Sequence, residues 1–152
     1  MRILVFSDSH GTTHNMREAM QLHKNADAVI FLGDGERDFS YLTGMQEIKN
    51  TVCVSGNCDF YSQLNDNEIF TAGAVKIFCT HGHNEGVKYG TDTLINKALA
   101  LGARIALYGH THEPVTDYVD GLHIMNPGSI RSGDYGIIDI TPAGIVCLNM
   151  KI

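Results

Sequence analysis

Residues 3–10 read Ile3-Leu4-Val5-Phe6-Ser7-Asp8-Ser9-His10. Four apolar, β-prone residues run without a break into a carboxylate and an imidazole two positions apart. A short continuous apolar run is the mark of a strand buried on both faces, as in a parallel sheet covered by helices. The same order returns four times. Ala28–Leu32 leads into Gly33-Asp34, Thr51–Ser55 into Gly56-Asn57-Cys58-Asp59, Val75–Thr80 into His81-Gly82-His83, and Arg104–Tyr108 into Gly109-His110-Thr111-His112.

Helical spacing fills some of the intervals. Asn15 to Lys24 sets Met16, Ala19, Met20 and His23 on one face, and Thr91 to Leu101 does so with Leu94, Ile95, Ala98, Leu99 and Leu101. Phe39–Met45 predicts a further short helix. Alternating strand and helix favours a parallel sheet with crossover helices over the first half. Beyond Tyr108 the runs Val115–Val119, Leu122–Met125, Tyr135–Ile140 and Ile145–Met150 are separated by Asp120-Gly121, Ser132-Gly133-Asp134 and Pro142-Ala143-Gly144. Asp-Gly between apolar runs signals a hairpin, so this third should be antiparallel. The predicted architecture is α/β, two mixed sheets packed together with helices outside. It is read as a single domain over 1–152, since no linker or low-complexity tract divides the chain.

In open α/β sheets, ligands bind beyond the carboxyl ends of the strands. Five adjacent strand ends would deliver Asp8, His10, Asp34, Asn57, His81, His110 and His112 into one crevice. Carboxylate, imidazole and amide donors without a thiolate set select manganese, iron, zinc or a similar divalent ion. Seven donors exceed one tetrahedral site and suit two ions roughly 3.5–4 Å apart. An Asp can bridge two ions through its two oxygens, whereas a His cannot. His14, His23 and His123 read as surface residues of helix or strand. Met16, Met20, Met125 and Met150 read as core gap-fillers.

Composition narrows the partners. The chain of 152 residues carries a formal charge of −6 with a pI near 5.7. That balance excludes non-specific nucleic-acid binding and attraction to an anionic membrane, both of which need a cationic surface. No apolar stretch reaches the ~20 residues of a membrane span. Met1-Arg2 runs directly into a strand, so no signal peptide is read and a cytoplasmic location is expected. Cys53, Cys58, Cys79 and Cys147 lack CxxC spacing and read as free thiols.

Asp8-x-His10, Gly33-Asp34, Gly56-Asn57-x-Asp59, Thr80-His81-Gly82-His83 and Gly109-His110-x-His112, in that order, resemble the calcineurin-like metallophosphoesterase superfamily. Asn126-Pro127-Gly128-Ser129 resembles its small single-domain bacterial and archaeal phosphodiesterase branch. The resemblance runs from residue 3 to about residue 131. It implies an α/β/β/α sandwich and hydrolysis of a phosphate ester by a metal-bridging hydroxide at a dinuclear site. Asp8, His10 and His112 would hold one ion, Asn57, His81 and His110 the other, and Asp34 would bridge them. The cofactors expected are two divalent ions, manganese foremost, with nickel, zinc, iron or magnesium as alternatives.

One position departs from the family pattern. Many members carry His after the Gly-Asn pair to assist the leaving group, where this chain has Cys58. His83 is the candidate to supply the acid instead. Without a cap domain the site should be open, admitting a small phosphorylated substrate or a nucleotide. Lys88, Lys97 and Arg131 are candidate substrate contacts, although solvated surface charge is the stronger reading. The alternative function is a metal-binding scaffold on the same fold, as in a eukaryotic retromer subunit that resembles this branch. Retention of both His10 and His112 favours the enzyme. The sequence is compatible with a homo-oligomer.

Overall fold

Strand β1 (Arg2–Phe6) forms the centre of the first sheet. The computed structural model describes residues 1–45, 48 and 50–152. Helix α1 (His14–Leu22) carries the chain to β2 (Ala28–Phe31), and α2 (Glu36–Gly44) precedes β3 (Thr51–Cys53). These three strands are parallel, with Val5 opposite Ile30 and Ile30 opposite Val52. A second sheet begins with β4 (Asn67–Ala72) and β5 (Val75–Thr80), followed by α3 (Asp92–Ala100) and β6 (Ile105–Leu107). The hairpin β7 (Val115–Val119) and β8 (Leu122–Asn126) completes it in the order β4-β5-β6-β8-β7. The chain then returns through a short 3-10 turn (Ile130–Ser132) to β9 (Asp134–Thr141) and β10 (Gly144–Lys151). The first sheet therefore runs β10-β9-β1-β2-β3.

Strand alternation sorts the side chains into three apolar layers. Ile3, Val5, Ile30 and Ile138 from the first sheet meet Ile77, Ile105, Leu107 and Met125 from the second. The opposite parity, Leu4, Phe6 and Phe31, packs under Met16, Met20 and Phe39 of α1 and α2. Phe78, Ala106 and Ile124 pack under Leu94 and Ala98 of α3. The result is the α/β/β/α sandwich expected from the sequence.

Several details differ from the sequence reading. The five donor-bearing strand ends are not neighbours in one sheet. β1, β2 and β3 lie in the first, β5 and β6 in the second, and β4 joins β5 as an antiparallel hairpin. β4 was not expected. Its sequence, Asn-Glu-Ile-Phe-Thr-Ala, is polar at the start and only half-buried, so it lacks the continuous apolar run that marks its neighbours. The C-terminal third is not wholly antiparallel, because β8 runs parallel to β6. The Asp120-Gly121 hairpin forms as read, with both residues at positive φ (51° and 85°). α2 starts three residues before Phe39. Met150 is not core: it lies on the edge strand β10 and is 36% exposed. All four cysteines are free. Among the described residues, no helix is long and apolar enough to cross a membrane.

Candidate metal centre

The loops that leave β1, β2, β3, β5 and β6 meet where the two sheets' strand ends converge. Their backbone is unusual. Asp8, His10, Asp34, His110 and His112 all have positive φ, between 44° and 66°. L-residues adopt that region at a cost of order 1–3 kcal/mol each, and such outliers gather at functional sites. Two other described non-glycine residues, Tyr61 and Asp120, share it. Close packing of the loops accompanies the strain. A Cβ on Gly33 would lie 2.6 Å from the backbone nitrogen of Gly56, so these two loops touch only because both positions lack a side chain.

Asp8, His10 and His112 form one donor group. His112 Nε2 lies 3.1 Å from Asp8 Oδ1, His10 Nε2 lies 3.6 Å from the same oxygen, and the two Nε2 atoms are 3.2 Å apart. Asp34, Asn57 and His81 form a second. His81 Nε2 lies 3.4 Å from Asp34 Oδ2 and 3.1 Å from Asn57 Oδ1. Asp34 Oδ2 is also 3.9 Å from His10 Nε2, which links the two groups. Donor atoms of Asp8, Asp34 and His81 fall within 4.8 Å of one another, as do those of Asp8, His10 and His112 and those of His10, Asp34 and Cys58. His110 joins by packing edge-on to His81, ring centres 5.0 Å apart, and belongs to none of these three groups. His83 sits 5.5 Å from His81 and 6.2 Å from His110, ring to ring.

These residues fit a divalent cation. Asp8 Oδ1 is buried without a hydrogen-bond partner. Its other oxygen is satisfied, accepting from Ser7 Oγ at 2.5 Å and from the His110 N–H at 3.1 Å. The facing Nε2 atoms of His10 and His112 can share one proton at most, which leaves lone pairs turned toward lone pairs around Oδ1. His81 Nδ1 donates to the Leu32 carbonyl at 2.7 Å. That bond fixes the tautomer and turns Nε2 toward Asp34 and Asn57, the usual support of a ligating imidazole. Such convergence is costly to bury unless positive charge occupies the centre.

The titrating groups report the same field. Burial pushes the Asp34 carboxyl up, but His81 and the Cys58 N–H outweigh it and hold the group well below the usual carboxylate range. Burial lowers His81, yet Asp34 and Asp8 win and raise it above an ordinary imidazole. His110 is lowered, by burial first and then by His81 and Lys88. Desolvation and the Asp34 carboxylate push the Cys58 thiol up to about 11.

Several supporting residues escaped the sequence reading. Asp59 accepts the N–H groups of Asp34, Gly35, Glu36 and Gly56 at 2.8–3.0 Å and so fastens the Asp34 loop to the Asn57 loop. Asp38 accepts from Ser9 Oγ and the Gly11 N–H beneath His10. Asn126 Nδ2 donates to the Gly109 carbonyl and to Thr111 Oγ1, and Ser129 Oγ donates to the Asp8 carbonyl. Asp59, Asn126 and Ser129 lie within the motifs that carry the family resemblance, so the signal existed. Lys97 is a half-exposed structural ion-pair partner rather than a free surface charge. It pairs with buried Glu85 at 2.7 Å and lies over the Phe78 ring. Lys88 and Arg131 are exposed, the former close enough to influence His110. His23 is half-buried against Tyr135.

A two-sheet sandwich with carboxylate and imidazole donors on its converging strand ends defines the class of metal-dependent phosphoester hydrolases. The chain belongs to the calcineurin-like phosphoesterase superfamily, whose model matches residues 1–141. It is 35% identical over 132 residues to YsnB of Bacillus subtilis, a probable metallophosphoesterase, covering 86% of this chain and 76% of that one. A phosphodiesterase of Methanocaldococcus jannaschii is 29% identical over 149 residues, with 84% and 83% covered. The crystal structure of a predicted phosphoesterase from Streptococcus pneumoniae superimposes with a TM-score of 0.79 at 28% identity, covering 98% of this chain and 97% of that one.

Proposed function

We propose that the protein is a dinuclear metal-dependent phosphodiesterase, with manganese the first-choice ion and the cytoplasm its location. The observation that carries this reading is the buried, unpartnered Asp8 Oδ1 facing two imidazole nitrogens. Asp8, His10 and His112 would hold one ion, and Asn57, His81 and His110 the other. Asp34 would stand between them, its Oδ2 3.4 Å from His81 Nε2 and 3.9 Å from His10 Nε2 and its Oδ1 accepting the Cys58 N–H at 2.7 Å. Divalent ions bound there would supply a nucleophile from water at neutral pH and stabilise charge on the phosphoryl oxygens.

The chain's own groups supply the rest. His81, fixed by Leu32, presents Nε2 to the centre without reorientation. Asp59 holds the Asp34 and Asn57 loops in register. His83, with its Nδ1 buried and unpartnered, is the group proposed to give the leaving oxygen a proton. Cys58 is too weak an acid to share that task, so protonation falls to His83 alone and esters with good leaving groups such as aryl oxides should still react best.

The test is direct. Metal content is measured on the purified protein, then bis(p-nitrophenyl) phosphate and p-nitrophenyl phosphate are compared with Mn, Ni, Zn and Mg. Faster hydrolysis of the diester, lost in Asp34→Asn, is expected. Wild type equal to Asp34→Asn with every metal would overturn the reading.

A further inference from the structure

A cleft of about 550 Å³ opens beside the donor groups. His10 and Asp34 line it together with Glu36, Arg37, Phe60 and Tyr61. Its volume suits a small organic ligand. The two aromatic side chains are the unusual feature. Phe60 is 75% exposed and Tyr61 95%, adjacent in sequence and beside the centre. Neither gains the burial that normally justifies a large ring.

Their presentation is built. The Ser62 N–H donates to the Asp59 carbonyl at 3.2 Å, closing a four-residue turn with Phe60 and Tyr61 at its tip. Tyr61, third in the turn, has a φ of 65°. Turns give that position to Gly or Asn, and a bulky residue there is strained. The turn is not loose either, because the Asp59 carboxylate clamps its base to the Asp34 loop. A strained turn clamped at its base presents two exposed rings beside the reacting centre, a platform for stacking.

Glu36 and Arg37 complete the lining. Among the described residues, neither side chain has a hydrogen bond or an ion pair. A carboxylate accepts from vicinal sugar hydroxyls, and a guanidinium pairs with phosphate. A simple aryl phosphate would use the rings and the guanidinium and leave the carboxylate idle. A nucleotide uses all of them, with base, sugar and phosphate in one molecule. We propose that this cleft binds the nucleoside arm of a nucleotide phosphodiester, its base stacked on Phe60 and Tyr61. The inference rests on the phosphodiesterase reading and gives its substrate class.

Calorimetric titration of the manganese-loaded protein with adenosine 5′-monophosphate and with ribose 5-phosphate reads the platform as affinity rather than as rate. The second ligand keeps sugar and phosphate and lacks the base. Wild type should bind the nucleotide roughly 10-fold more tightly, the gain of one stacked base. The Phe60→Ala/Tyr61→Ala double variant should bring the two affinities within about 2-fold. Both residues are exposed, and an unchanged thermal melt checks the fold. Equal affinities in wild type, a preference that survives the double variant, or no nucleotide binding at millimolar concentration would overturn the inference. Phenyl phosphate binding as tightly as the nucleotide would also overturn it, in favour of plain aryl esters. A protein that hydrolyses no diester yet keeps the base-dependent preference would sink the phosphodiesterase reading alone. An active protein without the preference would sink this inference alone.

Discussion

His10 and His112, 102 positions apart in the chain, aim their Nε2 atoms at each other across 3.2 Å. Asp8 Oδ1 completes the triangle at 3.6 and 3.1 Å. A cation that binds this folded arrangement and not the unfolded chain must stabilise the fold. At a hundredfold excess over its dissociation constant the gain is about 2.7 kcal/mol. For a chain of this size that raises Tm by about 5–10 °C. Addition of Mn or Zn to chelator-treated protein should show this rise, and Asp8→Asn or His112→Ala should lose most of it. Identical melts with and without metal would count against the donor assignment.

Asp59 should be worth more than its half-exposed position suggests. Replacing it with Ala strands four N–H groups, at Asp34, Gly35, Glu36 and Gly56. Bonds to a charged acceptor of this kind set the expected loss at about 2–4 kcal/mol in urea unfolding. Metal affinity should weaken in parallel, because Asp34 loses its loop support. Asp59→Asn, which keeps the shape, should recover part of both. A loss in either quantity too small to measure would refute the role.

Lys97 and Glu85 should behave non-additively. Glu85 is buried, accepts from Thr80 Oγ1 at 2.8 Å and is paired by a half-exposed Lys97. Lys97→Met leaves the carboxylate without its ion partner and should cost roughly 1–3 kcal/mol, below the figure for a fully buried pair because water reaches the ammonium. Adding Glu85→Gln should restore much of that loss. Simple addition of the two single effects in denaturant melts would contradict it.

His23 should make the protein acid-sensitive. Burial and Arg2 push its imidazole below the ordinary 6.5, against a smaller pull from Asp139, and its Nε2 lies 3.0 Å from the Tyr135 hydroxyl. The unfolded chain therefore takes up the proton first. The contribution is complete above the unfolded value of 6.5 and is lost as pH falls through the lower folded one. His23→Gln should narrow the stability difference between about pH 7.5 and pH 5.5. An undiminished difference would assign the acid limb elsewhere.

Cys58→His should change which esters react. A thiol held at about 11 cannot assist an alkoxide as an imidazolium can. The substitution should raise rates on alkyl phosphodiesters by roughly 10–100-fold. Nitrophenyl esters, whose leaving group departs without a proton, should change little. Equal acceleration of both would argue that the residue acts by some other route.

The donor residues were legible because each follows an apolar run at once, and strand ends deliver such residues to one region. Which strands fall in which sheet was not. Spacing fixes which face a residue takes along its own strand, not which strands become neighbours. β4 was hidden by its polar start, and Met150 was misread because alternation assigns a face without showing whether anything covers it. Asp59, Asn126 and Ser129 act through backbone groups of distant loops, up to 121 positions away for Ser129, where a single sequence carries no pairing signal. Lys97 looked like surface because its partner Glu85 becomes buried only when α3 docks.

Each donor group draws on both sheets: Asp8 and His10 from the first with His112 from the second, Asp34 and Asn57 from the first with His81 from the second. The sandwich is thus a pair of jaws, and Ile3, Ile30, Ile77 and Ile105, fully buried between them, set the gap. Interiors this dense shift when side-chain volume changes by a single methylene. The spacing of the donor loops therefore depends on oily residues far from them, and a change in the core alone can alter the geometry at the rim.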